Sequence, residues 1–376
     1  MVNDNLPNHS RRATAKCALV SVIIPAYQAG SNISGTLDSV LAQTFSDYEI
    51  ILVNDGSPDT ELLEQVLRSY PCVRYFKQEN RGPSAARNRG ILEARSQYVA
   101  FLDSDDSWFP QYLSTQIAIL RGNPALGLVY GDSLLVRNGI RIGRAFERER
   151  QAQPVTFEAL LQERSTISTS STVACRQALI DAGLFDERLN RCEDFDLWLR
   201  MAFRGVSIAY HPQANVLHNV SSSGLSANGY LMKQARIEVY KKIDASLPLS
   251  RGQRELLMER YRLNAAGAHL DLVKGFMRQG KFEKALASAQ LASTVFQGWK
   301  LRLAVLGLNW APRVLGACYG AHRRMLAVRN RVRAARSARR VGAMHRPQLS
   351  TPRVESLVGM QPPSVAPRFA GAHGGD

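Results

Sequence analysis

The sequence predicts an α/β protein with a mostly parallel sheet flanked by helices. Short apolar strands alternate with helical segments over the first hundred residues. These strands are continuously apolar, which is typical of parallel strands covered on both faces. Polar clusters follow three of them, and ligands of such sheets bind at the carboxyl ends of the strands. The same pattern therefore predicts both the fold class and the edge of the sheet that carries the site.

The first half of the chain supplies the alternation. A β-branched run at 19–24, closed by Pro25, predicts a buried strand, and the spacing of apolar residues over 31–44 predicts a helix. Proline in the first turn of the helix at 84–95 is favourable, because its missing N–H would be unpaired there anyway. The further predicted strands are 48–53, 73–76 and 98–102, and the further helices are 60–70 and 84–95.

After Asp106 the pattern becomes mixed, and Asn138-Gly139 predicts a hairpin turn. A polar run at 165–171 is expected to be a loop facing the cleft. The other elements predicted here are strands at 126–130, 133–136, 206–210 and 216–218, and helices at 157–162 and 194–204.

Four parts are expected along the chain: a disordered arm (1–17), an α/β domain (18–228), a helical region (229–336) and a disordered basic tail (337–376). The net charge of +16 is concentrated at the end, because the residues from Lys300 onward include 14 basic and two acidic side chains. The first 299 residues carry only about +4. A basic end of this kind favours anionic surfaces, either phospholipid or nucleic acid.

The five cysteines are odd in number and form no CxxC pair, which indicates a reduced chain without a disulfide framework. The first twenty residues carry no long apolar run, and no apolar stretch reaches the roughly 18 residues of a membrane span. The expected location is therefore the cytoplasm, with the basic end able to contact the inner face of the cell membrane.

The acidic pair Asp103-x-Asp105 follows the predicted strand at 98–102. Two carboxylates at a strand end can bind one hard cation, such as Mn²⁺ or Mg²⁺, and leave positions open for substrate phosphates. A solvated acidic turn is the alternative. His218 is a further candidate ligand, because imidazole suits manganese, although a lone histidine is usually structural.

Three other positions could carry chemistry. Asp55, at the end of the second strand, could accept a hydrogen bond from a base or ribose, or form an Asx turn. Tyr27 could stack on a base or pack in the core. Glu193-Asp194 precedes a helix, where either carboxylate could cap the helix or act as a general base.

Taken together, these residues resemble family 2 glycosyltransferases of the GT-A fold, a Rossmann-like sheet flanked by helices. The resemblance covers residues 18–225, and not the helical and basic C-terminal part. Asn54 departs from the Asp that many members carry. The strings that carry the resemblance are Val20 to Tyr27, Asn54 to Ser57, Asn80 to Gly90, Phe101 to Asp106, and Glu193 to Arg200.

The resemblance implies roles for individual residues. Tyr27 would stack on the donor base, Asp55 would bind that base, and Asp194 would be the catalytic base. Asp103 would contact the ribose and Asp105 the metal, while Asp103 and His218 remain further candidate metal ligands from their own chemistry. The implied donor-binding set is Pro25, Tyr27, Asp55, Arg87, Asp103 and Ser104, with Arg87 either supporting the diphosphate or bracing its helix.

The implied reaction is an inverting transfer of a sugar from a nucleotide-diphosphate donor, expected to be a UDP-sugar, to a hydroxyl group. The acceptor would be a saccharide or lipid-linked saccharide in cell-surface polysaccharide or glycoconjugate synthesis. Acceptor specificity is expected from residues 131–175 and 219–230.

Two other functions compete with this one. A nucleotidyltransferase would be expected to carry a basic, glycine-rich loop after the first strand, but residues 26–31 include no Lys or Arg. Nucleic-acid binding is disfavoured by the near-neutral first 299 residues. For the C-terminal part, contact with an anionic membrane competes with a helical appendage that packs on the α/β domain.

Overall fold

The computed structural model describes residues 18–147, 151–221, 228–322 and 324–325. The predicted arm (1–17) and basic tail (337–376) lie outside the described residues, as do parts of the predicted acceptor segments (148–150 and 222–227).

One curved sheet contains all the strands of the described residues. Its order is β3-β2-β1-β4-β8-β6-β9-β5, with β7 paired to β6. The first four strands are mutually parallel, whereas β8 is antiparallel to both β4 and β6. The strands are β1 Val20–Ala26, β2 Tyr48–Asp55, β3 Val73–Gln78, β4 Tyr98–Phe101, β5 Ser107–Trp108, β6 Leu126–Arg137, β7 Ile140–Arg144, β8 Thr172–Cys175 and β9 Ser207–Asn219.

Helices cover the sheet and continue beyond it, which confirms the predicted α/β class and the C-terminal helices. A short 3₁₀ turn spans Thr169–Ser171. The α-helices of the described residues are α1 Ile33–Leu41, α2 Thr60–Leu67, α3 Pro83–Glu93, α4 Tyr112–Gly122, α5 Phe157–Leu161, α6 Arg176–Asp181, α7 Glu193–Phe203, α8 Gly229–Ser246, α9 Arg251–Arg278, α10 Phe282–Ser293 and α11 Trp299–Trp310, and residues 312–322 are also helical.

The strand predictions after residue 120 were wrong in one respect. The pairs predicted at 126–130 and 133–136, and at 206–210 and 216–218, are each one continuous strand, β6 and β9. These two long strands pair in parallel, with register shifts next to Gly131 and Asp132. β-Bulges accommodate residues, such as Pro212, that would otherwise interrupt a strand, so a break in the sequence pattern did not end the element.

The C-terminal helices differ in what they pack against. Val239, Tyr240 and Ile243 of α8 and Leu257 of α9 are buried in the same apolar cluster as the sheet. Helices α10 and α11 instead form a separate small cluster with the end of α9. No helix of the described residues is both long and apolar enough to cross a membrane.

Candidate active site

Three neighbouring parallel strands end at one edge of the sheet. Pro25 of β1 lies opposite Val53 of β2, and Ile23 of β1 lies opposite Phe101 of β4. The residues that follow these strands therefore share an edge, which places Tyr27, Asp55 and Asp103 at the carboxyl ends of adjacent strands.

The loops after β1 and β2 are tied together by hydrogen bonds. The Gln28 N–H donates to Ser57 Oγ at 2.7 Å, and the Gly30 N–H donates to Asp59 Oδ2 at 2.8 Å. These bonds fix the backbone that follows Tyr27 and the backbone that follows Asp55. Tyr27 itself is 48% exposed, so it is not a core residue and its ring can stack on a ligand.

Asp55 is buried and orders the loop before α3. Its Oδ1 accepts hydrogen bonds from the Arg81 N–H and Gln78 Nε2, each at 2.9 Å, and its Oδ2 accepts one from the Gly82 N–H at 2.8 Å. The predicted alternative, an Asx-type turn in residues 54–57, is made by Asn54 Oδ1, which accepts the Ser57 N–H, and not by Asp55. The role that the structure assigns to this carboxylate is to hold the loop that leads into α3.

The hydrogen bonds of Asn54 explain why an asparagine stands where many members of the family that this sequence resembles carry an aspartate. Its Nδ2 donates to Thr60 Oγ1 at 2.9 Å and to the Tyr75 hydroxyl at 2.8 Å, while its Oδ1 accepts from the Ser57 N–H. An aspartate could not make the two donated bonds. Because Asn54 is fully buried, the amide is required here by its partners.

Arg87 of α3 joins two acidic segments that are far apart in sequence. One guanidinium nitrogen lies 2.6 Å from Asp103 Oδ1 and the other lies 2.9 Å from Glu193 Oε1. Burial opposes the charge of Arg87, but the two carboxylates outweigh it and raise the pKa of Arg87, and Arg87 in turn lowers the pKa of Asp103. These contacts do not test the two predicted alternatives, support of the diphosphate or bracing of α3, and the link to Glu193 is not visible in the sequence.

Asp194 is left with few partners. Its Oδ1 accepts the N–H of Phe195 at 2.7 Å, and Thr169 Oγ1 lies 3.4 Å from its Oδ2. Burial, followed by the charge of Glu193, raises the pKa of Asp194 to about 6. Cys192, and neither acidic residue, is the N-cap of α7. Glu193 is thus engaged with Arg87, whereas Asp194 remains available to accept a proton.

The three acidic residues after β4 differ in their surroundings. Asp106 is buried and lies 2.9 Å from His218 Nδ1, and it accepts the Asn219 N–H at 2.8 Å. Asp105 is exposed, and partial desolvation together with the charges of Asp106 and Asp103 raises its pKa to about 6. The hydrogen bond to Asp106 raises the pKa of His218 to about 9.

The side chains available as metal ligands fit a hard divalent cation in part. Asp105 offers carboxylate oxygens, and the carboxylate-to-histidine pair of Asp106 and His218 matches the outer partner that orients a metal-bound imidazole. Within the described ranges, however, no three His, Cys, Asp or Glu side chains are grouped closely enough to hold a metal ion by themselves. The residues therefore suit a cation that also takes ligands from a substrate.

Residues 21–180 match the family model for glycosyl transferase family 2. The chain is also 30% identical over 230 residues to the amylovoran biosynthesis glycosyltransferase AmsB of Erwinia amylovora, which covers 57% of this chain and 74% of that relative. The chain belongs to glycosyl transferase family 2.

Other glycosyltransferases match shorter parts of the chain. An uncharacterized glycosyltransferase of Rickettsia bellii is 34% identical over 200 residues, which is 51% of this chain and 28% of that relative. An Escherichia coli relative, UDP-Glc:alpha-D-GlcNAc-diphosphoundecaprenol beta-1,3-glucosyltransferase WfgD, is 29% identical over 185 residues, covering 48% of this chain and 68% of its own. The chain thus spans less than a third of the length of the Rickettsia bellii relative.

Solved structures support the GT-A fold. TarS 1–349 of S. aureus in complex with UDP-GlcNAc has a TM-score of 0.54 and 18% identity, covering 80% of this chain and 89% of that one. The mannosyltransferase PcManGT of Pyrobaculum calidifontis, in complex with GDP-Man and Mn²⁺, has a TM-score of 0.53 and 17% identity over 81% and 85% of the two chains.

Two contacts of the candidate site were not identified by sequence reasoning. The 3₁₀ turn at the end of the polar run at 165–171 contacts both acidic segments, because the Asp103 N–H donates to Ser170 Oγ at 3.2 Å and Thr169 approaches Asp194. The run was expected to face the cleft, and its hydroxyl-rich composition was the only available signal. Ser104 contributes its backbone, since its carbonyl oxygen accepts a hydrogen bond from Thr36.

A cavity of about 730 Å³ shares Asp105 and Asp106 with the acidic cluster. Segments from both predicted acceptor regions line it. The main lining is uncharged and polar, with Arg137 as its basic residue. The other lining residues are Ser31, Asn32, Ser34, Gly35, Thr36, Ser107, Val136, Asn138, Gly139, Asn219, Val220 and Ser221.

Proposed function

We propose that this chain transfers a sugar from a nucleotide-diphosphate donor, a UDP-sugar in the first instance, to a hydroxyl group with inversion. The single observation that carries the proposal is that Arg87 pairs with Glu193 and not with the adjacent Asp194. Arg87 pairs with both Glu193 and Asp103, which leaves the half-buried carboxylate of Asp194 to act as a base beside the acidic cluster. Membership of glycosyl transferase family 2 and the nucleotide-sugar complexes of TarS and PcManGT support the reaction class.

In the proposed mechanism each residue acts through its observed position. Pro25 lies next to the last residue of β1 and two positions before Tyr27, whose exposed ring stacks on the donor base. Asp55 holds the loop at Arg81 and Gly82, which shapes the wall of the base pocket. Asp194 accepts the proton of the acceptor hydroxyl as the new bond to the anomeric carbon forms.

The cation-binding residues are proposed to be Asp105 and Asp103, with His218 as a further ligand through Nε2. Bound Mn²⁺ or Mg²⁺ would neutralise the departing diphosphate as a Lewis acid. Asp105 is the primary candidate, since Asp103 is shared with Arg87 and His218 is paired with Asp106. Ser104 places its main chain beside the same diphosphate.

The acceptor is proposed to be a saccharide or lipid-linked saccharide of a cell-surface polymer or glycoconjugate, with its contacts in the cavity beside Asp105. Hydroxyl and amide side chains suit a saccharide, and Arg137 could bind the phosphate of a lipid-linked one. The names of AmsB and WfgD support this substrate class.

The proposed place of action is the cytoplasmic face of the cell membrane, with nucleic acid excluded as a partner because the first 299 residues are nearly neutral. In this arrangement residues 18–228 form the transferase domain. The C-terminal region of the proposal runs from 229 to 336, with its described helices up to residue 322, and the basic residues that follow contribute attraction to anionic lipid.

A donor panel tests the proposed function. Thermal shift is measured with UDP-, GDP- and TDP-sugars in Mn²⁺, in Mg²⁺ and in chelator, for the unchanged chain, Asp105→Ala, and a matched control, Asp181→Ala, at an exposed helix end. We expect one nucleotide class to raise Tm only with metal, in the unchanged chain and the control, and a lost response in Asp105→Ala. No metal-dependent response to any donor would reject the proposal.

A further inference from the structure

Helix α11 carries an exposed apolar stripe. Trp299, Leu303, Leu306 and Trp310 are 67%, 56%, 54% and 81% exposed. At 3.6 residues per turn, these positions fall within an arc of about 60° on one side of the helix. We call these four residues the outer stripe.

The opposite side of α11 is already used for packing. Leu308 is buried and Leu301 and Val305 pack against the same small cluster, which includes Ala285 and Ala289 of α10. These three positions fall about 180° from the outer stripe. The helix is therefore held in place by its inner side, and the apolar side chains of the outer stripe contribute nothing to that packing.

Cationic residues border the outer stripe on both sides. Lys300 and Arg302 fall about 80° to either side of its centre on the helical projection. The Lys300 ammonium lies 5.7 Å from the centroid of the Trp299 ring. An apolar face with bordering cations and tryptophans is the arrangement of a helix that lies in a membrane interface.

The charge around α11 indicates what kind of partner contacts the outer stripe. Residues 284–354 contain no Asp or Glu, so the region that includes α11 is exclusively basic. A second copy would bring the same positive charge to the stripe, which disfavours self-association. At 12 residues, α11 is far too short to cross a bilayer, which needs about 20.

We propose that the outer stripe of α11 inserts into an anionic phospholipid surface, parallel to the membrane plane, with Lys300 and Arg302 at the headgroups. This inference gives the proposed membrane location a specific contact face, and it rests on the proposed function only for its biological setting. The contact depends on apolar side chains as well as on charge, so a basic tail alone is not sufficient for it.

Vesicle flotation of the full chain tests the proposal, using phosphatidylglycerol–phosphatidylcholine vesicles and pure phosphatidylcholine vesicles. The test variant is Leu303→Ser/Leu306→Ser. The matched control is Leu41→Ser/Leu92→Ser, which removes two leucines of similar exposure, 47% and 58%, from α1 and α3. We expect the unchanged chain and the control to float with anionic vesicles, and the test variant to partition at least about 30-fold more weakly.

Tryptophan fluorescence provides a second readout. Trp108 and Trp198 are buried, so a blue shift on adding anionic vesicles must come from Trp299 and Trp310. It should vanish in Trp299→Phe/Trp310→Phe. Equal flotation of the test variant and control would overturn the proposal, as would the absence of any shift. A dimer that only the test variant abolishes would assign the stripe to a second copy instead.

Failure here and failure of the proposed function are distinguishable. The metal-dependent donor response in thermal shift should be identical in the test variant and the unchanged chain. If the chain floats but shows no donor response, the membrane face is supported and the proposed transferase function is rejected. If it shows the donor response but does not float, the transferase function is supported and the membrane face is rejected.

Discussion

Glu163 joins the end of α5 to α8 and α9, and the effect of removing its charge on stability can be calculated. It follows α5, and its carboxylate lies 2.5 Å from Arg236 of α8 and 2.6 Å from Arg260 of α9. Asn264 Nδ2 and the Tyr240 hydroxyl lie at 3.4 Å from its Oε1. Replacement by glutamine keeps the size of the side chain and removes the charge that both arginines need.

The magnitude follows from the pKa of Glu163. Burial alone would raise this pKa, but Arg236 and Arg260 outweigh it and lower the pKa from 4.5 to about 2. Such a difference between folded and unfolded chains corresponds to about 3 kcal/mol at pH 7. The side chain is 30% exposed, so solvent screening reduces our expectation to about 2 kcal/mol.

The direction of the pKa shift of Glu163 determines how its stabilising effect changes with pH. Because the folded pKa is depressed, the stabilisation is fully present above about pH 5 and is lost as the pH falls through 4.5 towards 2. Glu163→Gln should therefore lower the free energy of unfolding by about 2 kcal/mol at pH 7 and by less than about half of that at pH 3.

Urea unfolding followed by far-ultraviolet circular dichroism at both pH values measures this difference. The control is Glu255→Gln, which breaks an exposed pair with Arg251 on α9 and should change stability by less than about 0.5 kcal/mol. The reasoning is refuted if Glu163→Gln is as stable as the unchanged chain at pH 7, or if its deficit is the same at pH 3.

Three further predictions concern the site. Asp194→Asn should lower transfer turnover at least about 100-fold with unchanged donor affinity, because Asp194 acts as the base in its deprotonated form. Since the pKa of Asp194 is raised to about 6, kcat/KM of the unchanged chain should fall on the acid side with a midpoint near pH 6. A midpoint near pH 4 would contradict this role. Arg87→Met should cost about 3–5 kcal/mol in urea unfolding, because it leaves Asp103 and Glu193 without their cation, and a neutral effect would contradict the pairing. Asn54→Asp should lower stability by about 2–3 kcal/mol, since it buries a charge and removes two donated hydrogen bonds, and an unchanged Tm would disprove that account.

Much of the fold is determined by local pattern. Continuous apolar runs separated by helical spacing specify parallel strands, and the first strands and helices were predicted close to their observed bounds. The candidate site edge was predictable for the same reason, because the polar residues after β1, β2 and β4 must meet where parallel strands end together. The long strands β6 and β9 were not, since bulges hide their continuity.

What the sequence by itself determined is the α/β class, the edge that carries the site and the acidic residues placed there. Only the tertiary structure decided which charged partner each of those acidic residues contacts. Arg87 selects Glu193 across 106 positions of sequence, which leaves Asp194 free, and Asp106 takes His218 across 112. Adjacent carboxylates look alike in a sequence, and their charge partners arrive from elements that only folding brings within reach.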